Sequence, residues 1–175
     1  SFAKSMGSRN IIYYLGGVDG WVVPKFDYTT PISQTQNYAF QALATNMRGF
    51  VQNVRNGNTN VVYNAEFRLP IVKFLNLQFS SEFLQQLQVI GFSDIGTAWV
   101  GKSPYSDENP LNTEDFVQGP ISVNVHYVRD PIVRSLGYGL RSKLFGYFAR
   151  IDYAWGYEDG TWLDPAFYLS MSLDF

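Results

Sequence analysis

Cysteine is absent from the 175-residue chain, which excludes a disulfide framework and any thiolate metal site. Histidine occurs once, as His126, too few for a histidine metal cluster and a poor basis for a Ser-His-Asp hydrolase. No run of 18 apolar residues exists, so no transmembrane helix is expected. Lys and Arg never cluster, the net charge is −2 and the pI is about 5.3, a balance that does not suggest a nucleic-acid partner. Helical periodicity is scarce; Phe83 to Leu87 has room for a single turn at most. The acidic stretch with Asp107, Glu108, Glu114 and Asp115 offers oxygen ligands, but its spacing matches no calcium loop and reads as solvated. Neither a metal nor a cofactor is expected.

What is abundant is aromatic. Phe, Tyr and Trp make up 17% of the chain, with 12 Tyr and 14 Phe, beside 15 Gly and a mean hydropathy of only −0.12. Two classes share that profile: a soluble all-β domain, and a transmembrane β-barrel whose strands are half apolar and half polar. The chain opens Ser-Phe-Ala-Lys, without an initiator Met or a signal peptide, and is expected to start inside a longer precursor or at a mature N-terminus.

Period-two alternation marks the strands. In "AFYLSMSLDF", Phe167, Leu169, Met171, Leu173 and Phe175 share one face; Tyr168, Ser170, Ser172 and Asp174 share the other. In "FGYFARIDYAWGY", the oily face runs from Phe145 through Ile151 to Tyr157, with aromatics at both ends, as a bilayer interface selects. Its opposite face carries Arg150 and Asp152 and must be wet or charge-paired. "NVVYNAEFRLP" sets Val61, Tyr63, Ala65, Phe67 and Leu69 against Val62, Asn64, Glu66 and Arg68, and Pro70 ends it. "QQLQVIGFSDIGTAW" alternates less cleanly, with Asp94 on the face of Ile90, Phe92 and Gly96. "IVRSLGYGLRS" sets Leu136, Tyr138 and Leu140 against Gly137, Gly139 and Arg141. The two glycines mark either a close backbone approach or space left by a missing side chain. "NIIYYLGG" and "ISVNVHYV" are further strand candidates, giving about six or seven antiparallel strands. Residues 18–58 and 100–120 read as long connections and 142–146 as a short turn. That alternation of long and short would put the C-terminus in the periplasm.

The stretch "ATNMRGFVQNVRNGN" places Arg48 between apolar neighbours on an Asn/Gly-rich loop. An arginine so flanked is expected to go somewhere dry, where it needs carboxylates. The non-oily strand faces supply Glu66, Asp94, Asp152 and Asp174, together with Arg68, Arg141 and Arg150. An inward charge network of balanced sign, locked by bidentate Arg–carboxylate bonds, is the expected destination. Acid–base catalysis by Glu66 or Asp152 is the weaker reading, and no enzyme activity is expected.

"MRGF", then "GN…VVYNAEFRLPI", "VIGFSDIGTAW", "GYGLR" and a last strand ending in Phe resemble, in that order, the C-terminal half of the Omp85 or bacterial surface antigen (D15) barrel. The likeness runs from about Leu15 to Phe175. It implies the C-terminal part of a 16-stranded transmembrane β-barrel in the outer membrane of a Gram-negative bacterium, acting in outer-membrane protein assembly and insertion or in polypeptide translocation. It further implies that Met47, Arg48, Gly49 and Phe50 form the tip of the sixth extracellular loop, reaching into the lumen to acidic partners Glu66 and Asp94. The last strand would serve as assembly signal and seam. The partners implied are membrane lipid, client or accessory outer-membrane proteins, and the remaining barrel strands, from the same or another chain. Met47 departs from the usual Val or Leu. The stretch from Gly17 to Met47, with Trp21, Phe26 and Tyr28, is longer than usual and suggests an elaborated extracellular loop, while "QNYAFQALATNMRGF" resembles a propeller-fused subgroup. The alternative is a non-insertase barrel subunit that anchors a soluble module or binds partners through its loops; a soluble β-sandwich ligand binder is a third reading.

Overall fold

The long strands form because their oily and polar residues alternate, and each finds a partner of matching period. The computed structural model describes residues 1–5, 10–33, 38–75, 81–118, 121–127, 129–144 and 146–173. In chain order the strands are β1 Phe2–Lys4, β2 Asn10–Leu15, β3 Tyr38–Leu43, β4 Arg55–Gly57, β5 Thr59–Pro70, β6 Gln88–Trp99, β7 Thr113–Gln118, β8 Ile121–His126, β9 Val133–Leu144, β10 Tyr147–Glu158, β11 Thr161–Trp162 and β12 Ala166–Leu173. Two single-turn helices, α1 Ile71–Phe74 and α2 Glu82–Gln85, lie between β5 and β6. The protein is all-β and mostly antiparallel. Among the described residues no helix is long and apolar enough to cross a membrane.

The main sheet is an antiparallel meander, β5-β6-β9-β10-β12, with β1 beside the start of β5 and β11 beside the end of β10. The β5/β6 ladder runs unbroken from Thr59↔Trp99 to Pro70↔Gln88, and β9/β10 from Arg134↔Tyr157 to Leu144↔Tyr147. The β7–β8 hairpin is inserted between β6 and β9.

The two faces of this sheet differ sharply. One exposes Tyr63, Phe67, Ile95, Leu136, Tyr138, Leu140, Ile151, Phe167, Leu169 and Met171, each at 39% or more. The other is covered by residues 15–21 and 44–54. There Leu15, Ala44, Met47, Phe50 and Val54 pack on Val62, Ala98 and Val133. A second cluster joins Val18 and Trp21 to Ile90, Phe92, Ala154 and Tyr168.

Several local expectations are corrected. The stretch 18–58 is not one connection: it contains β3 and β4, both paired to β2, and β2–β3 is parallel, so the strands are not all antiparallel. Strand β7 occupies the acidic end of the expected 100–120 loop. The expected turn at 142–146 is narrower, since β9 runs to Leu144. The single-turn helix α2 overlaps the one turn that Phe83 to Leu87 has room for.

Candidate functional site

Residues 47–50 lie against the covered face of the main sheet. The turn that brings them there is made by Gly16 and Gly17, at φ of 112° and 78°. The Gly17 amide donates to the Phe50 carbonyl at 3.0 Å, and the Met47 amide to the Gly17 carbonyl at 3.0 Å. Met47 is fully buried and fits over Gly96, where a Cβ would touch its sulfur. Gly49 has φ of 88°, and a Cβ there would fall 2.8 Å from the Gly156 nitrogen of β10. A Cβ on Gly156 would in turn lie 2.6 Å from the Gly49 carbonyl. Two backbones therefore meet with no side chain between them, which only glycine permits. The buried Phe50 is fixed by its carbonyl, which accepts the Tyr168 hydroxyl of β12 at 2.8 Å.

Between these anchors Arg48 is buried to 3% exposure. Its Nε and Nη2 donate to the two Asp94 oxygens at 2.8 and 2.7 Å, a bidentate pair, and its own amide donates to Asp94 at 3.2 Å. Its Nη1 donates to Glu66 Oε1 at 2.6 Å. Its guanidinium carbon sits 3.6 Å from the centre of the Phe92 ring. Strand register explains the convergence: Asn64 is the cross-strand partner of Asp94, and Glu66 of Phe92. These four covered-face neighbours form the floor on which the guanidinium rests, offering charge, hydrogen bonds and a π face together. Asn64 also donates to Asp94 at 2.8 Å and to the Asn46 carbonyl at 2.8 Å, tying floor to loop.

Glu66 gathers two further arginines. Arg68 donates to its Oε2 at 3.1 and 2.8 Å, and Arg141 to its Oε1 at 2.8 Å. Arg150 is placed differently: its Nη2 donates to the Asp19 carbonyl at 2.9 Å, holding the loop. Asp152 is 2% exposed on β10, in space left by Gly139, where a Cβ would overlap its Oδ1. Gly137 likewise leaves room for the Phe92 ring. Both glycines also let the β10 backbone come close, since their Cβ atoms would fall 2.6 Å from the Tyr153 carbonyl and 2.5 Å from the Ile151 carbonyl. Phe167, Leu169 and Met171 lie on the exposed face, and Leu173 pairs through its backbone with Tyr147. Asp174 and Phe175 lie outside the described residues.

Sequence reasoning missed several participants. Asn64 and Phe92 share covered faces with Glu66 and Asp94 two residues away, a spacing that could have found them. Tyr168 and Gly156 become relevant only through three-dimensional contact with the loop tip. A second buried arginine, Arg55, was also missed. It is 1% exposed and donates to Glu158 Oε1 at 2.5 Å and to the carbonyls of Val54 and Asp130 at 2.7 Å each.

Chemically the arrangement is a clasp. Every oxygen of Asp94 and Glu66 accepts from a cationic donor, so their lone pairs are committed to holding the loop. Among the described residues no His, Asp and Glu cluster is arranged to hold a metal ion. No protein-family model, curated protein or solved structure matches the chain.

Proposed function

We propose that the chain is the C-terminal portion of a 16-stranded transmembrane β-barrel of the Omp85 type. It sits in the outer membrane of a Gram-negative bacterium, its C-terminus periplasmic, and acts in outer-membrane protein assembly and insertion or in polypeptide translocation. The carrying observation is the Met47–Phe50 tip clasped by Asp94 and Glu66 on one face of a sheet whose other face is apolar and bare. At roughly 80 Å² apiece, ten exposed side chains amount to several hundred Å² or more, beyond the patches monomers usually leave in water. Lipid is the solvent that suits that face. An open sheet in lipid leaves unsatisfied edge groups costing several kcal/mol each, so the remaining strands come from the same or another polypeptide. A client strand would add to the edge of β12, with backbone hydrogen bonds supplying the affinity.

A second reading, a barrel subunit that anchors a soluble module or binds partners through its loops, is favoured by Tyr28 and Phe40, exposed at 89% and 68% in the long segment over the sheet. Depletion of the full-length protein separates the two. Accumulation of unassembled outer-membrane proteins, rescued by the wild-type gene and not by Arg48→Ala, supports the first. Normal assembly together with release of a soluble partner supports the second.

A further inference from the structure

The bare face of the main sheet is made by alternate residues of β5, β6, β9, β10 and β12. Every position on it is uncharged except one, Arg134 near the start of β9. Register sets that arginine in a row across four strands: Ile95, Arg134, Tyr157 and Trp162 are successive cross-strand partners. Together with Ser93 and Leu136 of the next row, they line a recess of about 430 Å³. Strands β6, β9 and β10 are each paired on both sides within the chain. Strands completing a barrel would therefore attach elsewhere and leave this patch of outer face as it is.

Arg134 is exposed, and among the described residues its guanidinium has no hydrogen-bond or ion-pair partner. The carboxylates of the neighbouring turns already accept elsewhere: Glu158 from Arg55, Asp159 from the Asp130 amide, and Asp130 from the Ile132 amide. Beside the cation stands an aromatic wall, the Tyr157 and Trp162 rings meeting edge to face at 5.1 Å. Such rings, apolar in body and polar at one edge, settle at the level of lipid headgroups. A guanidinium is costly at the bilayer centre and nearly free at its interface, so cation and rings suit the same depth. Inward from Ile95, β6 continues through the small Ser93 to Gly91, where a Cβ would meet nothing within 4 Å. The cross-strand partners of Gly91, Phe67 on β5 and Tyr138 on β9, both project at more than half exposure. Between them lies a furrow about 13 Å long, four residues at about 3.3 Å each.

We propose that this recess binds one anionic membrane lipid, its phosphate facing Arg134 beside Trp162 and an acyl chain in the furrow over Gly91. The inference rests on the membrane reading proposed above and names the lipid that this face selects. The row lies at the end of the sheet opposite the β9–β10 turn, which that reading places in the outer leaflet. The planar guanidinium fork matches phosphate oxygens. A zwitterionic headgroup is disfavoured because it brings an ammonium of its own to the same cation.

The test uses the full-length protein in a neutral detergent, titrated with phosphatidic acid, with bound lipid counted by native mass spectrometry. One phosphatidic acid per protein should be retained against an excess of phosphatidylcholine of the same chain length and against inorganic phosphate. Arg134→Gln should lower its affinity about fivefold, the share one basic residue contributes near an anionic membrane surface. Trp162→Ala should cause a smaller loss. Lys102→Gln, which removes an exposed cation from the loop after β6, should change nothing. Protease protection of residues 44–58 reports that each variant is folded. Equal retention of the two lipids by the parent, or unchanged affinity in folded Arg134→Gln, overturns the site and leaves the membrane reading standing. Displacement by inorganic phosphate overturns the lipid as ligand. A parent that leaves membranes in buffer without detergent overturns the membrane reading, and the site with it.

Discussion

Arg48 is held by geometry that a simpler cation cannot reproduce. Its planar fork meets two oxygens of Asp94 and one of Glu66 while its face lies on Phe92. Removing one partner of a buried ion pair strands the others at a cost of about 3–5 kcal/mol. Arg48→Ala is therefore expected to release the loop tip, read as new protease cleavage within residues 44–58. Arg48→Lys should restore little, since an ammonium cannot make the bidentate pair; wild-type protection in Arg48→Lys would show that charge alone suffices. Asp27 makes a separate prediction in the segment between β2 and β3. Burial opposes its ionisation, but hydrogen bonds from Thr29 and Thr30 outweigh it and hold its carboxyl below the ordinary carboxylate range. A depressed folded pKa means that the stabilisation is fully present above the unfolded value, about 3.9, and is lost as pH falls through the folded value. Hydrogen-exchange protection factors across residues 26–30, corrected for the intrinsic pH dependence of exchange, should fall on acidification below about pH 4, and Asp27→Asn should flatten that dependence.

At the scale of elements, the two faces of β10 make opposite demands. Ile151 points to the bare face, 41% exposed, while Asp152 is buried on the other. If lipid covers the bare face, Ile151→Lys should destabilise by about 2–4 kcal/mol, measured by denaturant unfolding in bilayers; a neutral result would mean that water reaches that face. Gly137→Ala tests the other side. A methyl there collides with the Phe92 ring and the Tyr153 carbonyl, so the ring under Arg48 must move, and loop protection should fall with the sheet retained. The strands that were legible in sequence, β5, β6, β9, β10 and β12, are those whose alternation is enforced by one bare and one covered face. Those not legible owe their state to distant partners. Strand β4, "RNG", has turn chemistry and extends only because it pairs with β2. Strand β7, "TEDFVQ", is acidic enough to read as loop and is recruited by β8. Strand period put Glu66 and Asp94 on non-oily faces together with Asp152 and Asp174, and only the resemblance of the motifs singled out the first two. Tyr168 could not be named, because nothing local says that its hydroxyl meets a carbonyl 118 residues away.

For the molecule as a whole, the meander is an open sheet with two edges, and the proposal of a larger barrel predicts dependence on further strands. Expressed alone, residues 1–175 are expected to aggregate or require detergent. Co-expression with the preceding barrel strands should yield a heat-modifiable, protease-resistant species. A monomeric, detergent-free and cooperatively unfolding 175-residue product would instead favour a soluble sandwich with its apolar face covered. The glycine contact between loop and β10 has a mechanical consequence for such a barrel. Gly49 and Gly156 approach so closely that no other residue of the tip can take Gly49's place. Sliding the loop by one residue would drive Arg48 or Phe50 into the backbone of β10. The tip therefore has no graded positions along its path: like a pawl in a single notch, it is seated or withdrawn, and any motion of the loop during a working cycle has to be a complete step.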